Sequence, residues 1–363
     1  MSPRPSRLAC IDALKAISSQ LIVLHHLAFY GPMSDAAYGL APGLLDWLSE
    51  YARMAVQVFL VVSGFLAARS LAPGGLLQVR QPAAAVWRRY QKLVVPYAVA
   101  ILIAVAGSAL ARAWMHHDSI PAAPHLMQFV AHLLLLHNLL DVDALSAGVW
   151  YVAIDMQLFA LLVATLWLAR GLTGKAFGIA LVTVLSAASL FWFNRDAAFD
   201  VWAIYFFGAY GLGALAWWAS QPGRPVMAVA ALAALGGAAL MVDFRERIVL
   251  ALATALVLAL ARRGGWLEYW PGGRAGTWLW TYFGKISYSV FLVHFPVCLV
   301  VNALVSHFAP GDPVLNALGM VAAWTASNLA GAAFYRYVES ADLAGAARAL
   351  GAVLLSRWRA STL

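Results

Sequence analysis

Ionisable side chains set inside long apolar runs are costly, so each marks a place where chemistry can occur. The first such run, residues 11–30, holds Asp12, Lys15, Ser19, His25 and His26. On a helix turning 100° per residue, Asp12, Lys15, Ser19 and His26 fall within about 60° of one another. One polar stripe therefore faces protein or a water-filled cavity, and His25 points well away from it as a packing or interfacial residue. Asp12 and Lys15 can simply satisfy each other near the inner mouth. His26 differs, because an imidazole titrates near neutral pH and is the usual general base. Asp155, within Trp150 to Gln157, and His294, within Lys285 to Pro296, sit at comparable depth in later runs. A solvated chamber opening outward explains a carboxylate and two imidazoles at one depth better than three costly bystanders do. Arg88, Arg89 and Lys92 share one turn ahead of the third run. Their heads can converge on a phosphate-rich ligand; spacing alone favours anchoring to lipid headgroups.

The elements that position these groups follow from composition. Of 363 residues, 63% are apolar and 11% charged, with mean hydropathy +0.78. Soluble domains carry about a quarter charged residues, which excludes a cytosolic globular enzyme, and disorder needs the opposite composition. Apolar stretches of spanning length recur, and the short alternating strands of an outer-membrane barrel do not. The fold class is all-α: a polytopic helical membrane protein. Expected spans are 11–30, 54–72, 93–113, 147–169, 176–193, 199–219, 225–243, 247–261, 277–301 and 314–337. With ten spans and both termini cytoplasmic, Arg80, Arg88, Arg89, Lys92, Arg170, Lys175, Arg224, Arg262, Arg263 and Arg274 lie inside. Arg53, Arg112, Arg195, Arg245 and Arg247 lie outside, as the positive-inside bias requires. Counting 126–140, with His132 and His137, as an eleventh span would invert everything after it. It is expected to be a short outer-face or re-entrant helix buried against protein. Residues 1–340 form one membrane-embedded domain and 341–363 a basic amphipathic tail on the inner surface.

The net charge of +8 is read as orientation of spans against anionic membrane lipids, with no nucleic-acid partner. Cys10 and Cys298 are far apart in apolar context and read as small buried hydrophobes. Asp12 and Lys15 interrupt the first apolar stretch, so no cleavable signal is expected. His307 and Asp312 share an H-x4-D spacing that looks accidental in an outer loop. His116, His117, Asp118 and His125 have no established ligand spacing, and no metal is expected. No Gly-rich phosphate loop, GxSxG or HExxH is present.

In order along the chain, the polar landmarks form a recognisable set. Arg7, Asp12-Ala13-Leu14-Lys15 and His26 are similar to the opening signature of the acyltransferase 3 family, in which an Arg commonly stands at Lys15. Val58 to Leu66, with Ser63-Gly64-Phe65-Leu66, resembles the Phe-rich run into Ser-Gly-Phe-Leu. Arg88-Arg89-x-x-Lys92-x-x-x-Pro96 resembles the inner arginine motif, with Lys92 replacing an Arg. Trp150-Tyr151 through Gln157-Leu158-Phe159 is similar to a Trp-Tyr-Leu…Glu-x-Gln-Phe motif, Asp155 standing where a Glu is usual. Ile286 to His294-x-Pro296 matches the closing signature. The resemblance covers about residues 7–337, and it selects His26 over His25 independently of the helical wheel.

The resemblance implies a membrane O-acyltransferase of the bacterial inner membrane. Its donor would be cytoplasmic acyl-CoA, acetyl-CoA by expectation. Its acceptor would be the hydroxyl of an extracytoplasmic saccharide, lipid-linked glycan or exopolysaccharide precursor. It implies His26 as general base, with Asp155 orienting an imidazole and His294 beside them. Arg88, Arg89 and Lys92 would hold the phosphates of coenzyme A, and Lys15 and Ser19 would line the donor's route. Asp12, Trp150, Tyr151 and Tyr288 are candidate substrate contacts, the aromatic ones also fitting an interfacial belt. An acyl-histidine relay is an alternative to direct transfer. A transporter of a lipid-linked saccharide or organic anion could use the same intramembrane charges, but no two matching halves with broken helices are present.

Overall fold

A computed structural model describes residues 8–171, 175–268 and 273–341. Arg7 and the tail beyond residue 341 lie outside the described residues, as do the side chains of Lys175 and Arg274. Among the described residues the protein is all-helical, with 78% of them in helices and no strand. In chain order the helices are α1 Ala9–Phe29, α2 Pro32–Ala37, α3 Pro42–Glu50, α4 Val56–Leu71 and α5 Pro82–Trp114. They continue with α6 Leu126–Leu133, α7 Trp150–Ala169, α8 Lys175–Phe191, α9 Ala203–Ala219 and α10 Met227–Val242. The last three are α11 Glu246–Arg263, α12 Gly273–Phe308 and α13 Pro313–Phe334, which runs into a π-helical turn, Tyr335–Glu339.

Each apolar run expected from the sequence forms a helix, and six segments are long and apolar enough to cross a membrane. These are Pro42–Leu71, Pro82–Trp114, Trp150–Ala169, Ala176–Arg195, Thr277–Phe308 and Pro313–Glu339. Helices α9 and α10 are apolar but shorter. In α1 the polar residues Asp12, Lys15, Gln20, His25 and His26 offset the hydropathy of a 21-residue helix. These groups are tolerated because they face other helices: Gln20, for example, accepts from Trp324 at 2.8 Å and exchanges bonds with Asn328.

Two boundaries differ from expectation in a way that matters for the site. The third span, expected at 93–113, begins at Pro82 and runs 33 residues. Proline at the first helical position has no N–H to waste and a backbone angle already suited to a helix. Arg89 therefore lies two turns inside α5 rather than ahead of it. The segment 126–140 is helical only over Leu126–Leu133, too short to span. It ends in a left-handed turn at Leu135 (φ 57°), where Leu136 N–H bonds Ala131 O at 2.9 Å. The dismissed Asp312 has a structural job: its Oδ1 accepts Leu315 N–H at 2.8 Å and caps α13.

Packing centres on α12, which lies against α1, α5 and α13, and on α4, which lies against α9. The α4–α9 contact is backbone to backbone. Gly64 abuts the Tyr210 carbonyl, and Gly213 abuts that of Val61, leaving no room for a side chain at either position. Close approach through small residues is the usual way helices associate where no hydrophobic drive operates between them. It fixes α4, and thereby the position of Phe59 and Ser63.

Candidate active site

The two adjacent histidines of α1 face different partners, as helical geometry requires. His25 Nδ1 meets the Leu48 carbonyl at 3.2 Å, and its ring lies against Phe29. His26 Nδ1 meets His294 Nε2 of α12 at 2.5 Å. The His26 and His294 rings are parallel to within 4°, with centroids 4.8 Å apart, so contact runs edge to edge. Both are buried, His294 at 0% exposure. The tautomers follow from the remaining bonds. His294 Nδ1 lies 2.8 Å from Phe291 O and 3.1 Å from Val290 O. Carbonyl oxygens only accept, so this nitrogen carries the hydrogen and Nε2 of the neutral ring offers its lone pair. His26 Nδ1 must then donate, which leaves His26 Nε2 unprotonated. A neutral imidazole with one anchored N–H and one basic nitrogen is a suitably oriented proton acceptor.

Below the pair lies a chamber of about 330 Å³, lined by Lys15, Ser63, Arg89, Lys92, Asp155, Ser287, Tyr288 and Glu339 and by the rings of Phe59, Tyr151 and Phe291. The Arg89 guanidinium donates to Asp155 Oδ2 at 2.5 Å. Arg89 Nε and Asp155 Oδ1 are buried with no hydrogen-bond partner. Tyr288 OH donates to the Leu93 carbonyl at 3.2 Å. Ser289 Oγ donates to Glu339 Oε2 at 2.5 Å.

Helical spacing orders this chamber by depth. Phe59 and Ser63, Tyr151 and Asp155, and Phe291 and Ser287 are each four residues apart on α4, α7 and α12. Four residues rise about 6 Å, so three rings form one layer and three polar groups the next. His294 follows Phe291 by three residues on α12, which puts the imidazole pair on the other side of the ring layer. Lys15 precedes His26 by eleven residues on α1, about three turns away and on the chamber side.

The site gathers much of the expected set and rearranges it. His26 and His294 come together. Asp155 gives its carboxylate to Arg89, not to an imidazole, because α5 starts early enough to carry Arg89 to that level. Arg88, Arg89 and Lys92 do not converge: Arg89 and Lys92 line the chamber, whereas Arg88 is exposed and outside it. Lys15, Tyr151 and Tyr288 line it as well. Ser19 turns its hydroxyl back to the Ala16 carbonyl at 2.8 Å and is not in the lining. Asp12 lies where α1 meets α12, its backbone against Gly284, also outside the lining. Trp150 stacks on Phe206 at 5.5 Å. Residue-by-residue reading passed over Glu339, Ser63, Ser287, Phe59 and Phe291. Glu339 could have been found as an ionisable group ending the last apolar run. The other four lie within the runs that resemble family motifs, but they are common residues in apolar helices and their spacing alone singles out none of them. Among the described residues no three His, Cys, Asp or Glu side chains come together as a metal site.

Comparison with known families gives the class of protein. The model of the acyltransferase 3 family, described as an acyltransferase domain, matches residues 8–335. The chain belongs to the acyltransferase 3 family, a class that transfers acyl groups, and its apolar helices make it a membrane protein. No curated protein and no solved structure matches it.

Proposed function

We propose that this protein moves an acyl group, acetyl in the first instance, from cytoplasmic acyl-CoA to the hydroxyl of a saccharide or lipid-linked glycan outside the cytoplasm. In this reading ten of its helices, the shorter α9 and α10 among them, cross the bacterial inner membrane with both termini inside. The observation that carries it is the imidazole pair: His26 has one nitrogen fixed by His294 and the other basic. His26 Nε2 takes the proton of the acceptor hydroxyl as that oxygen bonds to the acyl carbon. The carbon–sulfur bond breaks, and the departing coenzyme A sulfur recovers the proton from the imidazolium. General base catalysis of this kind contributes about 10²–10⁴ in rate. His294 holds the His26 tautomer and touches no substrate.

The donor's approach is supported by the chamber. Lys15 and Lys92 offer cations for the coenzyme A phosphates, beside the Arg89–Asp155 pair in the same lining. Phosphate recognition by ammonium groups tolerates this loose arrangement, because each acts as a point charge. The test is transfer of label from acyl-labelled acetyl-CoA to a glycan acceptor by the purified protein in detergent. The expected result is labelled ester on the acceptor with stoichiometric free thiol. Intact thioester in the presence of competent, folded protein would contradict enzymatic transfer and favour a transporter.

A further inference from the structure

Resting on the acyl-transfer reading, we infer that Phe59, Tyr151 and Phe291 form a three-ring closure that limits the acyl group reaching His26 to a short chain. The three rings come from three helices, α4, α7 and α12, and meet at one level. Their centroids are 6.1 Å apart for Phe59–Tyr151, 5.5 Å for Tyr151–Phe291 and 6.5 Å for Phe59–Phe291. Aromatic pairs in contact have centroid separations of about 4.5–7 Å, so every side of the triangle is closed. Three helices each contributing one ring, with a polar group one turn away on each, is a layer and not a local packing accident.

The closure lies between the two halves of the site. All three rings line the chamber that holds Arg89 and Asp155. Phe291 is also 6.2 Å from the His294 ring. The side of the triangle nearest the imidazoles is tightened by Gly148, the residue two before α7. Its φ of +80° places its backbone so that a β-carbon there would lie 3.4 Å from the Phe291 ring and 3.6 Å from His26 Cε1. A glycine is needed at such a positive φ, and here it brings the backbone against both rings at once. An acyl group presented from the chamber must pass this layer to reach His26 Nε2. Two carbons need only a small ring displacement, whereas each added methylene must be held in a space the rings already fill. Close-packed interiors resist such overfilling.

The experiment compares acetyl-, butyryl- and hexanoyl-CoA as donors for the purified full-length protein, by thiol release with acceptor present, in wild type, Phe59→Ala and Phe59→Leu. Phe59 lies against Tyr151 and Phe291, whereas Phe291 itself meets the His294 ring. The wild type is expected to lose at least tenfold in kcat/KM from acetyl to hexanoyl. Phe59→Ala is expected to raise the hexanoyl-to-acetyl ratio at least tenfold, and Phe59→Leu to raise it less, whatever the absolute rates. The leucine variant keeps an apolar side chain and guards against failure to fold. A ratio unchanged within twofold in a folded variant, or a wild type that uses hexanoyl-CoA as well as acetyl-CoA, overturns the closure while leaving acyl transfer standing. Absence of transfer from every donor by the wild type overturns the function itself, and the closure with it.

Discussion

At the scale of single residues, the two histidines of α1 give the sharpest contrast, since they are neighbours in sequence with different surroundings. His26→Ala removes the only imidazole nitrogen that the hydrogen-bond network leaves basic at the pair, so transfer should fall by about 10²-fold or more. His25→Ala removes a contact to the Leu48 carbonyl and should cost far less, with the protein still inserted. His294→Gln should fall between them, because it loosens the tautomer without removing the base, by about 10–100-fold. Steady-state turnover on the three purified variants checks the order, and a His25 variant less active than the His26 variant would reverse it. That His25 and His26 face different partners was legible in the sequence because an α-helix has one pitch, so the polar stripe and its odd residue can be read directly. The pairing of Asp155 with Arg89 was not legible. It depends on where α5 begins, and the charged first turns of that helix look like a loop when only hydropathy is counted.

At the scale of elements, helix existence was legible almost throughout, because long apolar runs in a membrane have no structure open to them other than a helix. Contacts between helices were not. The back-to-back crossing of α4 and α9 depends on Gly64 and Gly213, which in sequence are two glycines among 28. Gly64→Ala puts a β-carbon against the Tyr210 carbonyl, and backbone cannot yield as a side-chain tip does. The expected cost is about 1–3 kcal/mol, read as a lower unfolding temperature in detergent, with activity falling as Phe59 and Ser63 shift. The short element after α5 makes a different prediction. His132 donates from Nδ1 to Gln128 O at 2.8 Å and accepts Leu145 N–H at Nε2, 3.1 Å away. His137 stacks on it with centroids 4.2 Å apart. Burial, and then the neighbouring His132, push the His137 pKa down to about 3. The unfolded segment takes a proton near the ordinary value of about 6.5, so its stabilising contribution is complete above that pH and is lost as pH falls toward 3. Amide exchange protection over residues 126–145 should drop between pH 7 and pH 4, and protection that is equal at both would remove the argument.

At the scale of the whole molecule, polar groups are distributed along one axis, from Lys15 and Lys92 through the Arg89–Asp155 level and the ring layer to the imidazole pair. Such an axis suits reactants that arrive from opposite faces of a membrane. Its order could not be read from one sequence, because α4, α7 and α12 are far apart along the chain and only their packing aligns the four-residue pairs. Lys92→Gln should raise the KM for acyl-CoA several-fold and leave that for the acceptor nearly unchanged, and donor binding should weaken with salt. Arg88→Gln should do neither, since Arg88 lies outside the chamber. The central claim is that acyl transfer crosses the membrane through His26. Sealed vesicles carrying the protein with its cytoplasmic face outward test it most directly, with acyl-labelled acetyl-CoA added outside and glycan acceptor trapped inside. The account predicts labelled acceptor within wild-type vesicles, coenzyme A thiol remaining outside, and neither product with His26→Ala. Intact acetyl-CoA accumulating inside, or undiminished transfer by the His26→Ala protein, would contradict it.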